Sequence, residues 1–317
     1  MNLLSKLLKT EKKQAQPEQN SSNSTLTLND FFDQQYFPHA AATRRRPGIA
    51  KYIYDKHIRP TLGKLRFDEL SSKVLDDWVR AHIEKRYKPG TINKHIFVLN
   101  RILNVAHHWG VLEHSVHRNC TIKRLPQGDY KQRFLTETEI NLLLDACQRD
   151  QHPFLYYFAK LLILTGARSS EARLARWRDF DLHHKSWLVP ISKNGRSRKI
   201  VLNSGAVQLL KEIRVQAERL YLPTAQKDYI FLNPKFKKPY TCFFLAWDRA
   251  RQRVDLPDVR IHDLRHTYAS ILINRGASIY EVQTLLGHHH VSMTERYAHL
   301  SPNTLSARVE IVADLLK

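Results

Sequence analysis

Cysteine is scarce in this chain. Three occur in 317 residues, Cys120, Cys147 and Cys242, and none forms a Cys-x-x-Cys pair. That excludes a disulfide framework and a cysteine-based structural zinc site, and it fits a reducing compartment. Long apolar runs are missing too. The richest, from Tyr156 to Leu164, is interrupted by Lys160 and falls well short of a membrane span. The opening Met1-Asn2-Leu3-Leu4-Ser5-Lys6-Leu7-Leu8 is too short and too broken for a secretory leader. A cytoplasmic protein is the expectation. Neither a Gly-rich phosphate loop nor a set of paired acidic metal ligands is present, so no nucleotide or metal cofactor is expected. Acidic residues are also in short supply. Thirty Asp and Glu stand against 51 Lys and Arg, for a formal net charge of +21. Such an excess favours a polyanion and repels other copies of the chain, so nucleic acid is the first partner to consider. An anionic membrane surface fits less well, since no long helical pattern sets a basic face against a clean apolar one.

What is present divides along the chain. Residues 1–24 are rich in Gln, Asn, Ser and Lys, with too little apolar surface to hold a fold, and read as a flexible tail. From 25 to 117 the pattern is helical. Thr91 follows Pro89-Gly90 and is placed to cap a helix whose Ile92, Ile96, Leu99, Leu103 and Ala106 share a face, with Gly110 beyond its end. Across 118–133 the periodicity fades while Arg118, Lys123, Arg124, Lys131 and Arg133 accumulate, which reads as a basic linker. A second domain, 134–317, starts at the capping box Thr136 to Glu139. Within it Trp187 to Ile191 and Lys199 to Leu202 are strand candidates around an Asn194-Gly195 turn, and Pro190 marks the first as an edge or irregular strand. The whole is expected to be mainly α with a small antiparallel β-sheet.

The last third carries an ordered set of polar residues: His262-Asp263-Leu264-Arg265-His266, then Gly287-His288, then Tyr297, with Thr165-Gly166-Ala167-Arg168-Ser169-Ser170-Glu171 upstream. Two guanidiniums, several imidazoles and one phenol suit attack on a phosphodiester. Capping boxes at Ser278–Glu281 and Ser292–Glu295, with Gly287 as a stop between them, place Tyr297 in the early turns of a helix near His288. Singly, each residue has a plainer reading. A lone Tyr is usually core or surface, and chance alone puts a Lys or Arg three residues after a His about three times in a chain so rich in base. Arg168 and Glu171 suit an intrahelical ion pair. Lys193, Arg196, Arg198 and Lys199 suit a solvated hairpin tip. His288-His289-His290 with His299 invites a metal, but three consecutive residues do not converge on one ion without an unusual backbone.

The order is more specific than its parts. An arginine, a hairpin lysine, His-x-x-Arg, Gly-His and Tyr together resemble the tyrosine recombinases of the phage integrase family. Leu164 to Glu171 resembles the family's first-arginine motif and His262 to Thr267 its second, followed by Leu285-Leu286-Gly287-His288 and the Tyr297 segment. Ile58 to Gly63 and Thr91-Ile92-Asn93-Lys94 resemble its core-binding domain. The family's usual Asn-Pro at the end of the first domain is replaced by His117-Arg118-Asn119-Cys120.

The resemblance implies an all-α, SAM-like core-binding domain and an α+β catalytic domain of the DNA breaking-rejoining type. It implies cutting and rejoining of duplex DNA through a 3′-phosphotyrosyl link, integrating or excising a mobile element. Tyr297 would be the nucleophile, Arg168 and Arg265 the phosphate clamp, and Lys193 the acid for the leaving 5′-oxygen. His262 would take the tyrosine proton, His288 would hydrogen-bond the phosphate, and Glu171 would support them. Arg44, Arg45, Thr91, Asn93 and Lys94 would touch DNA. Four protomers would assemble on paired sites, docked by a C-terminal helix carrying Leu305, Val309, Ile311, Val312, Leu315 and Leu316, near the nucleoid and with DNA-bending or excision factors as further partners. A catalytically inactive DNA-binding regulator and a type IB topoisomerase-like strand transferase remain as alternatives.

Overall fold

The computed structural model describes residues 26–114, 120–128, 133–190, 197–288 and 290–298. The expected tail, the Lys193 and Asn194-Gly195 hairpin tip and the C-terminal docking residues lie outside the described residues. The chain divides into two compact units, Met1–Tyr130 and Lys131–Lys317. It is mainly helical, with one small antiparallel sheet, as the periodicity predicts.

The described residues of the first unit are mainly helical. Thr27 caps α1 (Leu28–Phe31) with a full capping box to Asp30. The helical path then widens into a π turn, Phe32–Tyr36, before α2 (Phe37–Thr43). The same sequence of events recurs as α3 (Pro47–Ile53) runs through a π turn, Tyr54–Ile58, into α4 (Arg59–Leu62). A proline explains both. Pro38 and Pro60 lack the N–H that would meet the carbonyl four residues back, and their rings press on it, so the preceding turn opens. Long helices α5 (Ser72–Glu84) and α6 (Pro89–His108) complete the unit. Helix α6 starts at Pro89 with Lys88 as its cap, not at Thr91. Proline at the first position loses no hydrogen bond, which moves the start ahead of the hydroxyl.

Residues 120–128 carry on from this unit as an extended strap. Asn93 exchanges two hydrogen bonds with Leu125, and Asn100 two with Ile122. Cys120 is buried with its thiol against the Leu70 carbonyl. The basic segment between the predicted domains thus packs its apolar residues on the first unit while Lys123 and Arg124 stay exposed.

In the second unit Thr136 forms the predicted capping box with Glu139 at the start of α7 (Glu137–Gln148). The apolar α8 (Leu155–Thr165) is central, touching α7, α10 (Ser204–Arg219) and α12 (Asp263–Asn274). Short α9 (Ser169–Arg173) leads to the sheet: β1 (Phe180–Asp181), β2 (Ser186–Val189) and β3 (Arg198–Val201), in that order and antiparallel. Strand β1 has no clear sequence signal at two residues long. Trp187 pairs with Ile200 and Val189 with Arg198. Alternation therefore puts Arg198 on the same face as the buried Trp187, Val189 and Ile200. Helix α11 (Phe244–Arg253) closes the core. Beyond α12, α13 (Ile279–Leu286) and α14 (Ser292–Glu295) form a smaller layer with Ala269, Ile273, Val282, Leu286 and Tyr297 buried together.

Candidate active site

Two glycines shape the floor of the site. Gly166 ends α8 in the left-handed conformation, φ 60°, and a Cβ there would run into the Tyr268 ring. Gly287 ends α13 the same way, φ 63°, and its open side is filled by the Arg198 side chain. Both turns expose backbone carbonyls. Arg265, near the start of α12, donates to Gly166 O at 2.6 Å and to Leu286 O at 2.7 Å. It is 3 % exposed. Burial, then repulsion from Arg168 and Arg198, pulls its pKa down to about 9.

One carboxylate holds the other two arginines. Glu171 Oε1 accepts from Arg168 Nη1 at 2.8 Å, and Oε2 accepts from Arg198 Nη2 at 2.7 Å and from the Arg168 N–H at 2.8 Å. Burial works to raise the Glu171 pKa, but the Arg198 and Arg168 hydrogen bonds and charge outweigh it and hold the carboxyl below its ordinary range. Arg198 also donates to Leu286 O at 2.8 Å. Three guanidiniums therefore crowd around a single anion. The cluster lacks negative charge, and a phosphodiester would supply it.

The imidazoles lie beside this cluster. His288 sits just after Gly287, with Nδ1 at 2.8 Å from Thr294 Oγ1. Burial and then Arg265 and Arg168 push its pKa down to about 3. His262 precedes α12, and its ring meets that of His266 edge-on, centroids 5.0 Å apart. Burial and then Arg265 lower the His262 pKa. Asp263, wholly buried, receives three hydrogen bonds from Arg260 and fixes the first turn of α12.

Tyr297 is 2 % exposed. It lies in the turn after α14, not in the early turns of a helix, because the predicted Ser292 capping box does not form. The chain already turns at His290, whose carbonyl accepts from Met293, so Val291 becomes the cap and Ser292 falls inside the helix. The Tyr297 hydroxyl is hydrogen-bonded to Nδ1 of His266. His262 is therefore not the imidazole on the phenol. His266 lies one helical turn further along α12, on the side where Tyr297 returns. Burial and then His262 push the His266 pKa down to about 4.

Arg168, Glu171, Arg265, His288 and Tyr297 are thus brought together, Lys193 lies outside the described residues, and two participants escape the sequence reading. His266 carried a signal in its spacing, four residues after His262. Arg198 carried one too, two residues before the core residue Ile200 in a strand. In the first unit, Arg44, Arg45 and Lys94 line a cavity of about 790 Å³ together with Phe97, Arg101 and Arg124. Thr91 lies in the first turn of α6. Asn93 lines the cavity but is 8 % exposed, and its amide donates to and accepts from Leu125, which makes it a strut for the strap.

Comparison with known proteins identifies the family and the fold. The model of the phage integrase family matches residues 133–304. The chain is 30% identical over 272 residues to the integrase of Salmonella phage P22, covering 81% of this chain and 68% of that one. It is 26% identical over 286 residues to the ICEBs1 integrase of Bacillus subtilis strain 168, covering 84% and 77%. Among solved structures, the Tn1549 transposon integrase in complex with transposon right end DNA superposes with a TM-score of 0.74 at 18% identity, over 91% of this chain and 99% of that one. A lambda integrase dimer bound to a COC′ core site gives 0.68 at 18% identity, over 93% and 84%. These two likenesses establish the fold. On the family match and the identity to curated integrases, the chain belongs to the phage integrase family, the tyrosine-type site-specific DNA recombinases.

Proposed function

We propose that this recombinase cuts and rejoins duplex DNA through a 3′-phosphotyrosyl intermediate, integrating or excising a mobile element. The observation that carries the reading is a buried tyrosine–histidine contact beside three clustered guanidiniums, two of which share the single Glu171 carboxylate. The scissile phosphate takes the anion position that the cluster lacks. Arg168 and Arg265 hold its non-bridging oxygens, and Glu171 and Arg198 position them. The Tyr297 oxygen attacks phosphorus and its proton passes to His266. The bond from phosphorus to O5′ breaks, and O5′ takes a proton from Lys193. His262 and His288 hydrogen-bond the phosphate. Attack by a free 5′-hydroxyl reverses each step, so the phosphotyrosyl bond conserves the broken link.

Bound phosphate also resolves a mismatch in basicity. A histidine near pKa 4 is a weak acceptor for a phenol, and an anion among the arginines raises it toward its ordinary value. Duplex DNA is the partner on this reading, as in the integrase–DNA complexes that share the fold. Arg44, Arg45 and Lys94 contact its backbone. Four protomers act on paired sites, with DNA-bending or excision factors as auxiliaries.

The test is a suicide substrate that traps the covalent adduct. Tyr297→Phe is expected to bind its site as the unmutated chain does and to trap no DNA. A Phe variant that still forms the adduct removes Tyr297 as nucleophile. An unmutated chain that binds but never traps is a regulator, and relaxation of plasmids without a target site marks a topoisomerase.

A further inference from the structure

Outside the catalytic unit, three histidines from separate elements converge. His57 lies in the second π turn, His82 near the end of α5 and His95 in the first half of α6. One ring nitrogen from each lies within 4.8 Å of the others. Among the described residues this is the one group of three metal-ligating side chains so placed. The sequence gives no hint of it, because the spacings of 25 and 13 residues belong to no metal motif.

Nδ1 of His82 faces the Trp78 carbonyl at 2.8 Å, and a carbonyl only accepts, so Nδ1 carries the proton and Nε2 bears the lone pair. Metal-binding histidines are commonly oriented by this kind of backbone contact. His95 is 3 % exposed, and its Nδ1 has no hydrogen-bond partner. A buried nitrogen left without a partner is destabilising unless something occupies it. His57 is half-buried and stacks on His95 with centroids 4.0 Å apart. Its own carbonyl is held by the Trp78 indole at 2.8 Å, which fixes its backbone. His57 and His82 both line a cavity of about 370 Å³, wide enough to admit an ion and a water.

We propose that His57, His82 and His95 bind one Zn²⁺ ion, with water from the cavity as the fourth ligand. Zinc–nitrogen bonds of about 2.0–2.1 Å in a tetrahedron set the nitrogens roughly 3.3 Å apart. Closure from the present spread needs about 1.5 Å at most. Lys56, Lys85 and Lys94 act against a cation, but all three side chains are exposed and screened by solvent. Asp77 on the cavity wall offsets part of their charge. The ion ties the second π turn to α5 and α6, so it acts as a staple for the first unit and not on the phosphoryl chemistry.

The test uses the full chain stripped with a chelator. Titration with Co²⁺ is expected to give the intense visible absorption of a tetrahedral site. Zn²⁺ calorimetry is expected to give one equivalent that His57→Ala and His82→Gln both lose and His183→Ala keeps. Zn²⁺ should raise the melting temperature of the unmutated chain by several degrees and leave His57→Ala unmoved. A weak octahedral Co²⁺ spectrum on the unmutated chain overturns the proposal. So does equal zinc stoichiometry in the unmutated and His57→Ala chains, which would assign the ion to other histidines.

Discussion

Glu171 is 8 % exposed and neutralises two arginines at once. Removing its charge leaves both guanidiniums buried without compensation, which is far costlier than losing an exposed pair. Glu171→Gln is expected to destabilise the chain by about 3 kcal/mol in urea unfolding; an effect below about 1 kcal/mol would mean that solvent already screens the pair. The same groups set a pH profile. His266 and His288 have folded pKa values near 4 and 3, below the ordinary histidine value near 6.5. Below that value the unfolded chain takes up protons that the folded chain refuses, so stability falls as pH drops from 6.5 toward 4. Glu171 has the same sign: its contribution is full above the ordinary carboxyl range and is lost as pH falls through its depressed folded value. Denaturation curves collected from pH 8 to 4 check this, and a flat profile would show the imidazoles to be solvated.

Elements determine which of these residues meet. Gly287 ends α13 with positive φ, and Arg198 occupies the space where a side chain would be. Gly287→Ala therefore combines a left-handed strain of about 1 kcal/mol with displacement of an arginine. Loss of covalent adduct with retained DNA binding is expected, and an active Ala variant would show that Arg198 need not sit there. The legible parts of the fold were those with local causes. The Thr136 and Ser278 capping boxes and the glycine stops at 110 and 287 each rest on neighbours within four residues. Ser292 and Thr91 carry the same chemistry, yet one was overtaken by an earlier turn and the other by a proline. Arg198 and His266 were hidden differently. Each has an ordinary residue type and gains its role from a partner 27 or 31 residues away in the chain. The histidine triad is hidden for the same reason, since three elements must pack before it exists.

At the scale of the whole molecule, charge and burial divide the work. The excess of base draws the chain to a polyanion, while Tyr297, the proposed nucleophile, is packed with Ala269, Ile273, Val282 and Leu286. On the proposed mechanism, a nucleophile that begins inside the core would introduce a delay between capture and cutting. Release of Tyr297 would be a unimolecular event, so the rate of adduct formation is expected to level off as DNA concentration rises, at the rate of that release. Rapid-quench sampling across DNA concentrations measures it, and a rate that climbs in proportion to DNA without a plateau would show the phenol to be ready on arrival. Such a delay would have a consequence for fidelity. A sequence that lets go sooner than the tyrosine emerges would never be cut, and a site that holds the chain longer would gain time for a second site to arrive. Residence time, set by the fit of the DNA, would then decide where breaks are made.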